Sequence, residues 1–159
     1  MEEALIKLDE LFGRYGLLVY KIAYVYTRSV QDSEDITQEL FIKLCFSAPD
    51  FKTEQHERAW VIKVTENLAK NHIKQAYKRR ELSVEEVLGQ ATSGANNEVI
   101  DAIHKLPVKY KTVIVLYYYF GYSVKEIAAL TKQSASNIKA RLIRARGVLR
   151  MELEEVVND

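Results

Sequence analysis

The stretch SVKEIAALTKQSASNIKARLIRAR, residues 123–146, decides the fold. Ser123 precedes Glu126 by three residues at the head of an apolar-periodic run. At that spacing a serine hydroxyl accepts from N–H groups that a new helix leaves unpaired, while the glutamate reaches back. The run breaks over Thr131 to Gln133, and a longer basic helix is predicted from Ser134 to about Glu155. A short capped helix, a tight connection and a long basic helix have the layout of a helix-turn-helix. At about 100° per residue, Ile138, Leu142, Ala145 and Leu149 fall in one narrow stripe suited to packing. Ser136, Asn137, Lys139, Ala140, Ile143 and Arg144 lie on a different arc, flanked by Arg141 and Arg146. Cations and hydroxyls there can bond base edges or phosphates, Ala140 permits close approach, and Ile143 can touch a thymine methyl. A solvated basic face would show the same charges; the capped short helix ahead of it favours duplex DNA. This geometry defines a binding mode and leaves the biological role open.

Outward from that pair the chain is predicted to be all-α. Two prolines and six glycines punctuate 159 residues, and the intervals carry Leu, Ile, Ala, Lys and Glu at helical spacing. Helices are predicted from about Glu3 to Thr27, weakened by Gly13 and Gly16, from about Gln31 to Phe46, and from about Glu54 to Tyr77. Pro49 and Asp50 break the chain between the second and third. From Lys78 to Asn97 apolar periodicity lapses: a basic cluster, a short acidic piece, then Gly89, Ser93, Gly94, Asn96 and Asn97. Beyond it come a helix near Glu98 to Lys105, a stop at Leu106 and Pro107, a helix from Val108 to Phe120, and a turn at Gly121 and Tyr122. The expected organisation is therefore two small helical domains, 1–77 and 98–159, joined by a flexible linker over 78–97.

Composition narrows the function classes. A hydrophobic share of 48% with 28% charged residues is that of a soluble globular chain. The longest mainly apolar run, Val113 to Phe120, is far short of the roughly 20 residues of a membrane span, and Glu2 and Glu3 replace a basic signal-peptide start. A cytoplasmic location is expected. The single cysteine, Cys45, and three scattered histidines offer neither an internal disulfide nor zinc spacing, so no metal and no cofactor are expected. The net charge of +1 hides an acidic cluster at Asp32, Glu34, Asp35 and Glu39 and a basic one at Lys139 to Arg150.

That acidic cluster sits on the second helix. Ile36, Leu40, Phe41 and Leu44 share an arc that can face a core, whereas Asp35, Gln38, Glu39 and Ile42 share the opposite one. Carboxylates and an amide around one aliphatic side chain suit protein docking, or equally a solvated face with a stray isoleucine. Catalytic use of the carboxylates is discounted, because they lie on one convex helix with no pocket signature. On the third helix Trp60, Val61, Val64, Leu68 and Ile73 point toward a core, and Lys63, Asn67, Lys70, Asn71 and Lys74 run along its edge. Amides and cations beside an aromatic can hold unstacked single-stranded bases, or form an ordinary polar edge.

Taken together, DSEDITQELF at 32–41, AWVIKVTENLAKN at 59–71, LPVKYKTVIVLYY at 106–118, and EIA with NIKARLIRAR between Glu126 and Arg146 resemble the signature segments of ECF-type (extracytoplasmic function) sigma factors of the bacterial sigma-70 family. The resemblance spans about residues 5 to 152. It implies a region 2-like and a region 4-like domain that act as a transcription initiation factor and not as an enzyme. It places Asp35, Gln38 and Glu39, with Ile42 among them, on the clamp helices of the RNA polymerase core. Asn67 and Asn71, in the set with Trp60, Lys63, Lys70 and Lys74, would lie near the melted minus-10 strand, with Phe46 to Arg58 capturing a flipped base. Lys139, Ala140, Ile143 and Arg144, with Ser136, Asn137 and Arg141, would read the minus-35 duplex. The family also implies an anti-sigma factor, membrane-anchored in many relatives, and no small-molecule substrate.

Some positions depart from the family pattern. Lys132 and Gln133 occupy a turn that usually carries a glycine and an apolar residue, Asn137 replaces a common threonine, and Glu66 stands where an arginine often precedes the asparagine. Two rivals accompany the sigma reading: a helix-turn-helix regulator that binds duplex DNA without polymerase, and a sigma-like factor that docks on polymerase without reading DNA.

Overall fold

The computed structural model describes residues 1–80 and 98–158, and every regular element among them is a helix. The all-α expectation holds. In chain order they are α1 (Glu2–Thr27), α2 (Val30–Phe46), α3 (Glu54–Arg80), α4 (Glu98–Lys105), α5 (Val108–Ile114) with a π-helical extension at Val115–Tyr119, α6 (Val124–Thr131) and α7 (Ala135–Asn158). Residues 81–97, most of the expected linker, lie outside the described residues.

Helix α1 runs unbroken through Gly13 and Gly16. Gly16 is buried, and a Cβ there would stand 3.2 Å from the Phe12 ring. The missing side chain lets that ring fold back along the helix and meet Phe41 of α2 at 5.2 Å between centroids. The helix ends at Arg28, in the left-handed region at φ 54, whose N–H donates to the Tyr24 carbonyl. Ser29 then caps α2, its Oγ accepting from the Asp32 N–H at 3.1 Å. Thr53 does the same for α3, accepting from the His56 N–H. Helix α3 extends three residues beyond the expected Tyr77.

The predicted helix over Val108 to Phe120 is correct in extent but not in winding. After Ile114 it widens into a π turn; the Tyr122 N–H reaches back to the Leu116 carbonyl at 3.0 Å, and Gly121, at φ +69, turns the chain. Only a residue without a Cβ adopts that conformation without strain. Ser123 accepts from the Glu126 N–H at 3.1 Å, as its spacing predicts, and Ser134 accepts from the Asn137 N–H at 3.1 Å at the head of α7.

Packing follows the sequence stripes and then exceeds them. α1, α2 and α3 pack against one another, and α7 lies against α4, α5 and α6. The two groups also touch: α4 and α5 lie on α1, and α6 lies on α3, so the apolar interior is continuous across them. Tyr15, Val19, Ile22, Ala23, Val25 and Tyr26 are fully enclosed, which places the C-terminal half of α1 between α2 and α3 on one side and α4 and α5 on the other.

The turn between α6 and α7 keeps a glycine-type geometry without a glycine. Lys132 sits at φ 57 and ψ 43, and its N–H and that of Gln133 both bond the Ala128 carbonyl. The Asn137 amide donates to the Gln133 side-chain oxygen at 2.7 Å, so both departures in this turn are tied into it. A left-handed non-glycine residue costs about 1 kcal/mol. Lys132→Gly is therefore expected to stabilise the fold by about 1 kcal/mol and raise the melting temperature by roughly 2–4 °C; thermal and urea unfolding would measure it.

Candidate polymerase-docking and nucleic-acid faces

On α2 the division into two arcs is realised. Ile36, Leu40, Phe41 and Leu44 are buried, while Asp35, Gln38 and Glu39 are exposed and Ile42 keeps 61% of its surface open. An aliphatic side chain that open, ringed by acceptors, is a site a protein partner can desolvate. The face does not stop at α2. Gln38 and Ile42 border an apolar groove formed with Leu5, Leu8 and Phe12 of α1, a breadth absent from the sequence expectation because α1 reads there as an ordinary amphipathic helix. On its other side α2 is tied to α3 through His72, which lies 3.5 Å from Glu39 and 3.9 Å from Asp32.

The α3 edge carries Lys63, Asn67, Lys70, Asn71 and Lys74, all exposed. Trp60 is half-buried, held edge-on by Phe51 at 5.7 Å, and Phe51 also meets the His56 ring at 5.5 Å. The expected base-capture segment thus presents an aromatic corner next to a row of cations and amides, which is the equipment for unstacked bases. Exposed Phe46 stands at the end of α2, where that segment begins.

Burial on α3 differs from the expected single stripe. Val61 and Leu68 are buried as expected, Trp60, Val64 and Ile73 only partly, and Ile62, Thr65 and Ala69 are buried as well. The reason is a second packing partner, since one side of α3 meets α1 and α2 and another meets α6.

On α7 the inward stripe Ile138, Leu142 and Ala145 is fully buried and Leu149 half-buried. Ser136, Asn137, Lys139, Ile143 and Arg144 are exposed, and Ala140 lies between them, partly covered. Ile143 keeps 65% of its surface open in this polar company. Arg141 is turned aside from this group: half-buried, it donates Nη1 to the Lys109 carbonyl at 3.1 Å. Arg146 donates to the Tyr118 hydroxyl at 2.5 Å and covers the Tyr117 ring.

The seam between the two helix groups holds polar residues that sequence patterning did not single out as a site. The Tyr26 hydroxyl meets Thr112 Oγ1 at 2.9 Å, and Glu66 Oε2 accepts from both, at 3.1 Å from Tyr26 and 3.0 Å from Thr112. Arg28, only 3% exposed, gives Nε to Asp101 at 2.6 Å and also bonds the Tyr24 hydroxyl. His104 Nδ1–H donates to the Val25 carbonyl at 2.9 Å. The one prior signal was Glu66, a carboxylate where the family often has arginine; in the structure it accepts across the seam.

These groups carry the electrostatic cost of closure. Burial pushes the Lys111 ammonium, packed over the Tyr26 ring, down to about 8. Burial, then the charge of Glu66, raises the Tyr26 phenol above its usual range. Burial lowers His104, Lys111 and Arg28 add to the effect, and its bond to Val25 opposes it. Its Nε2 is buried without a partner among the described residues, so a proton placed there would be unsolvated. The depressed native pKa means the unfolded chain binds more protons below pH 6.5, and stability falls on acidification through that range. Replacing His104 by glutamine should flatten the loss between about pH 7 and 5; urea midpoints across that range, compared with the parent, would check it.

Comparison with known proteins accounts for both halves. The family model for sigma-70 region 2 matches residues 11–80, and that for sigma-70 region 4 matches residues 96–149. RNA polymerase sigma factor SigV of Bacillus subtilis is 26% identical, over 84% of this chain and 83% of its own. ECF RNA polymerase sigma factor SigW of the same organism is 28% identical, over 87% and 84%. Among solved structures, CnrH in complex with the cytosolic domain of CnrY has a TM-score of 0.67 at 24% identity, covering 93% of this chain and 88% of that one. Sigma factor RpoE in complex with the anti-sigma factor NepR, from Bartonella quintana, has a TM-score of 0.66 at 17% identity, over 93% and 97%. These two share the fold. With both regions present in order across most of its length, the chain belongs to the sigma-70 family, as an ECF-type sigma factor.

Proposed function

We infer that this protein directs RNA polymerase to promoters and starts transcription there, contributing binding energy and no covalent chemistry. The observation that carries this is the succession of sigma region 2 and region 4, each exposing a face chemically suited to its task. The α2 face, Asp35, Gln38, Glu39 and Ile42, docks on the polymerase core. The open Ile42 supplies apolar area while the carboxylates and amide select for cationic and donor partners. Trp60 with Lys63, Asn67, Lys70, Asn71 and Lys74 holds the separated minus-10 strand, bases stacking near the aromatic corner and phosphates meeting the ammonium groups. Melting is driven by that binding, because bases captured outside the stack cannot re-pair.

The minus-35 duplex is gripped by α7 in the major groove. Lys139 and Arg144 bond base edges or phosphates, Ser136 and Asn137 add polar contacts at the helix N-terminus, and Ile143 meets a thymine methyl. Arg141 contributes a phosphate contact once released from the Lys109 carbonyl. An anti-sigma factor is the expected regulator, by analogy with RpoE, which was solved with one. The working location is the cytoplasm; among the described residues no helix is long and apolar enough to cross a membrane.

Run-off transcription with purified sigma-free core tests the reading: specific initiation is expected, and a duplex-binding regulator would give none. Asp35→Ala combined with Gln38→Ala should abolish core binding in a pull-down while the circular dichroism spectrum stays helical. Arg144→Ala should weaken minus-35 duplex binding by about 1–3 kcal/mol if it contacts a base, measured by titration with a labelled promoter fragment.

A further inference from the structure

The packing of the two helix groups leaves a cleft of about 650 Å³ between them. One wall, on α3, presents Trp60, Lys63 and Lys70; the other presents Lys109 of α5, Lys132 of the α6–α7 turn, and Arg141 of α7. Five cations thus border one concavity. Among the described residues Glu66 is the single carboxylate in its lining, and it already accepts from Tyr26 and Thr112. Among the described residues, none of the four ammonium groups lies within ion-pair distance of a carboxylate, and Arg141 is held by a backbone carbonyl.

Like charges facing each other across a cleft repel, and low-dielectric walls strengthen the field between them. The walls are held by the apolar interior that the two groups share and by polar contacts at the seam, the Tyr26–Thr112–Glu66 cluster and the Arg28–Asp101 pair. The closed arrangement therefore holds a cationic cavity in place, and a compact polyanion inside it would convert repulsion between the walls into attraction to both. We propose that this cleft is a binding site for a small phosphate-rich anion, held by cations of both helix groups at once, and that its occupancy fastens the closed arrangement. Minus-10 side chains (Trp60, Lys63, Lys70) form one wall, so the anion and the promoter strand exclude each other. Lys109 and Lys132 belong to neither assigned DNA face, and the anion site gives them a use.

The protein carries its own reporter, because Trp60 is its only tryptophan. Full-length protein would be titrated with inorganic tripolyphosphate at constant ionic strength, with Trp60 emission followed and the radius of gyration measured by X-ray scattering. The proposal expects a saturable emission change with no expansion, and about tenfold weaker binding when Lys109→Ser and Lys132→Ser are combined, since two charge-assisted contacts are lost. It is overturned by the absence of a saturable change, or by an equal response to sulfate at matched ionic strength, which would mark simple screening. It is likewise overturned if the double variant binds as the parent does while Lys63→Ser with Lys70→Ser abolishes binding, because the anion would then lie on the α3 edge alone.

Discussion

The Tyr26 hydroxyl, Thr112 hydroxyl and Glu66 carboxylate meet where α1, α5 and α3 converge, and the closure of the two helix groups on each other has to accommodate that meeting. The buried Tyr26 and Thr112 hydroxyls without partners would each cost on the order of 1–3 kcal/mol, and Glu66 is half-buried beside them. Together they satisfy one another, and the apolar surfaces of the two helix groups can close around them. The Arg28–Asp101 pair and the His104 bond to Val25 repeat the pattern along the same seam. In each case a group from α1 or α3 is completed by one from α4 or α5.

This closure bears on how the faces are displayed. The α2 face of Asp35, Gln38, Glu39 and Ile42 stays exposed, as does the outer arc of α7. The α3 edge is divided: Asn67, Asn71 and Lys74 are exposed outside the cleft, whereas Trp60, Lys63 and Lys70 line it opposite Arg141. Residues assigned to the two promoter elements are therefore neighbours in the closed arrangement, although they are assigned to separate stretches of promoter. The same seam buries Lys111 and His104, whose pKa values burial lowers, so closing it carries an electrostatic cost.

Local signals carried far. Serines at 123 and 134 cap the helices that their positions announce, and the 3.6-residue stripes on α2 and α7 bury the residues assigned to them, Leu149 only in part. Such features depend on neighbours within one or two turns, so a single sequence contains all that determines them. The turn at Lys132 shows the limit of composition alone: the left-handed geometry expected of glycine survives with lysine, because Gln133 and Asn137 bond around it and the backbone closes on Ala128.

What the chain determined by itself was its helices, their inward stripes and the chemistry of its three outward faces, since these follow from side-chain identity and helical period. Only the tertiary structure decided that α3 has two packed sides, that Glu66 accepts from α1 and α5, and that Lys109 and Lys132 face Lys63 and Lys70 across a cleft. Those facts join residues dozens of positions apart, and no local periodicity encodes which helix covers which. The shared apolar interior and the mutual satisfaction of polar groups at the seam both exist only once the two helix groups are in place.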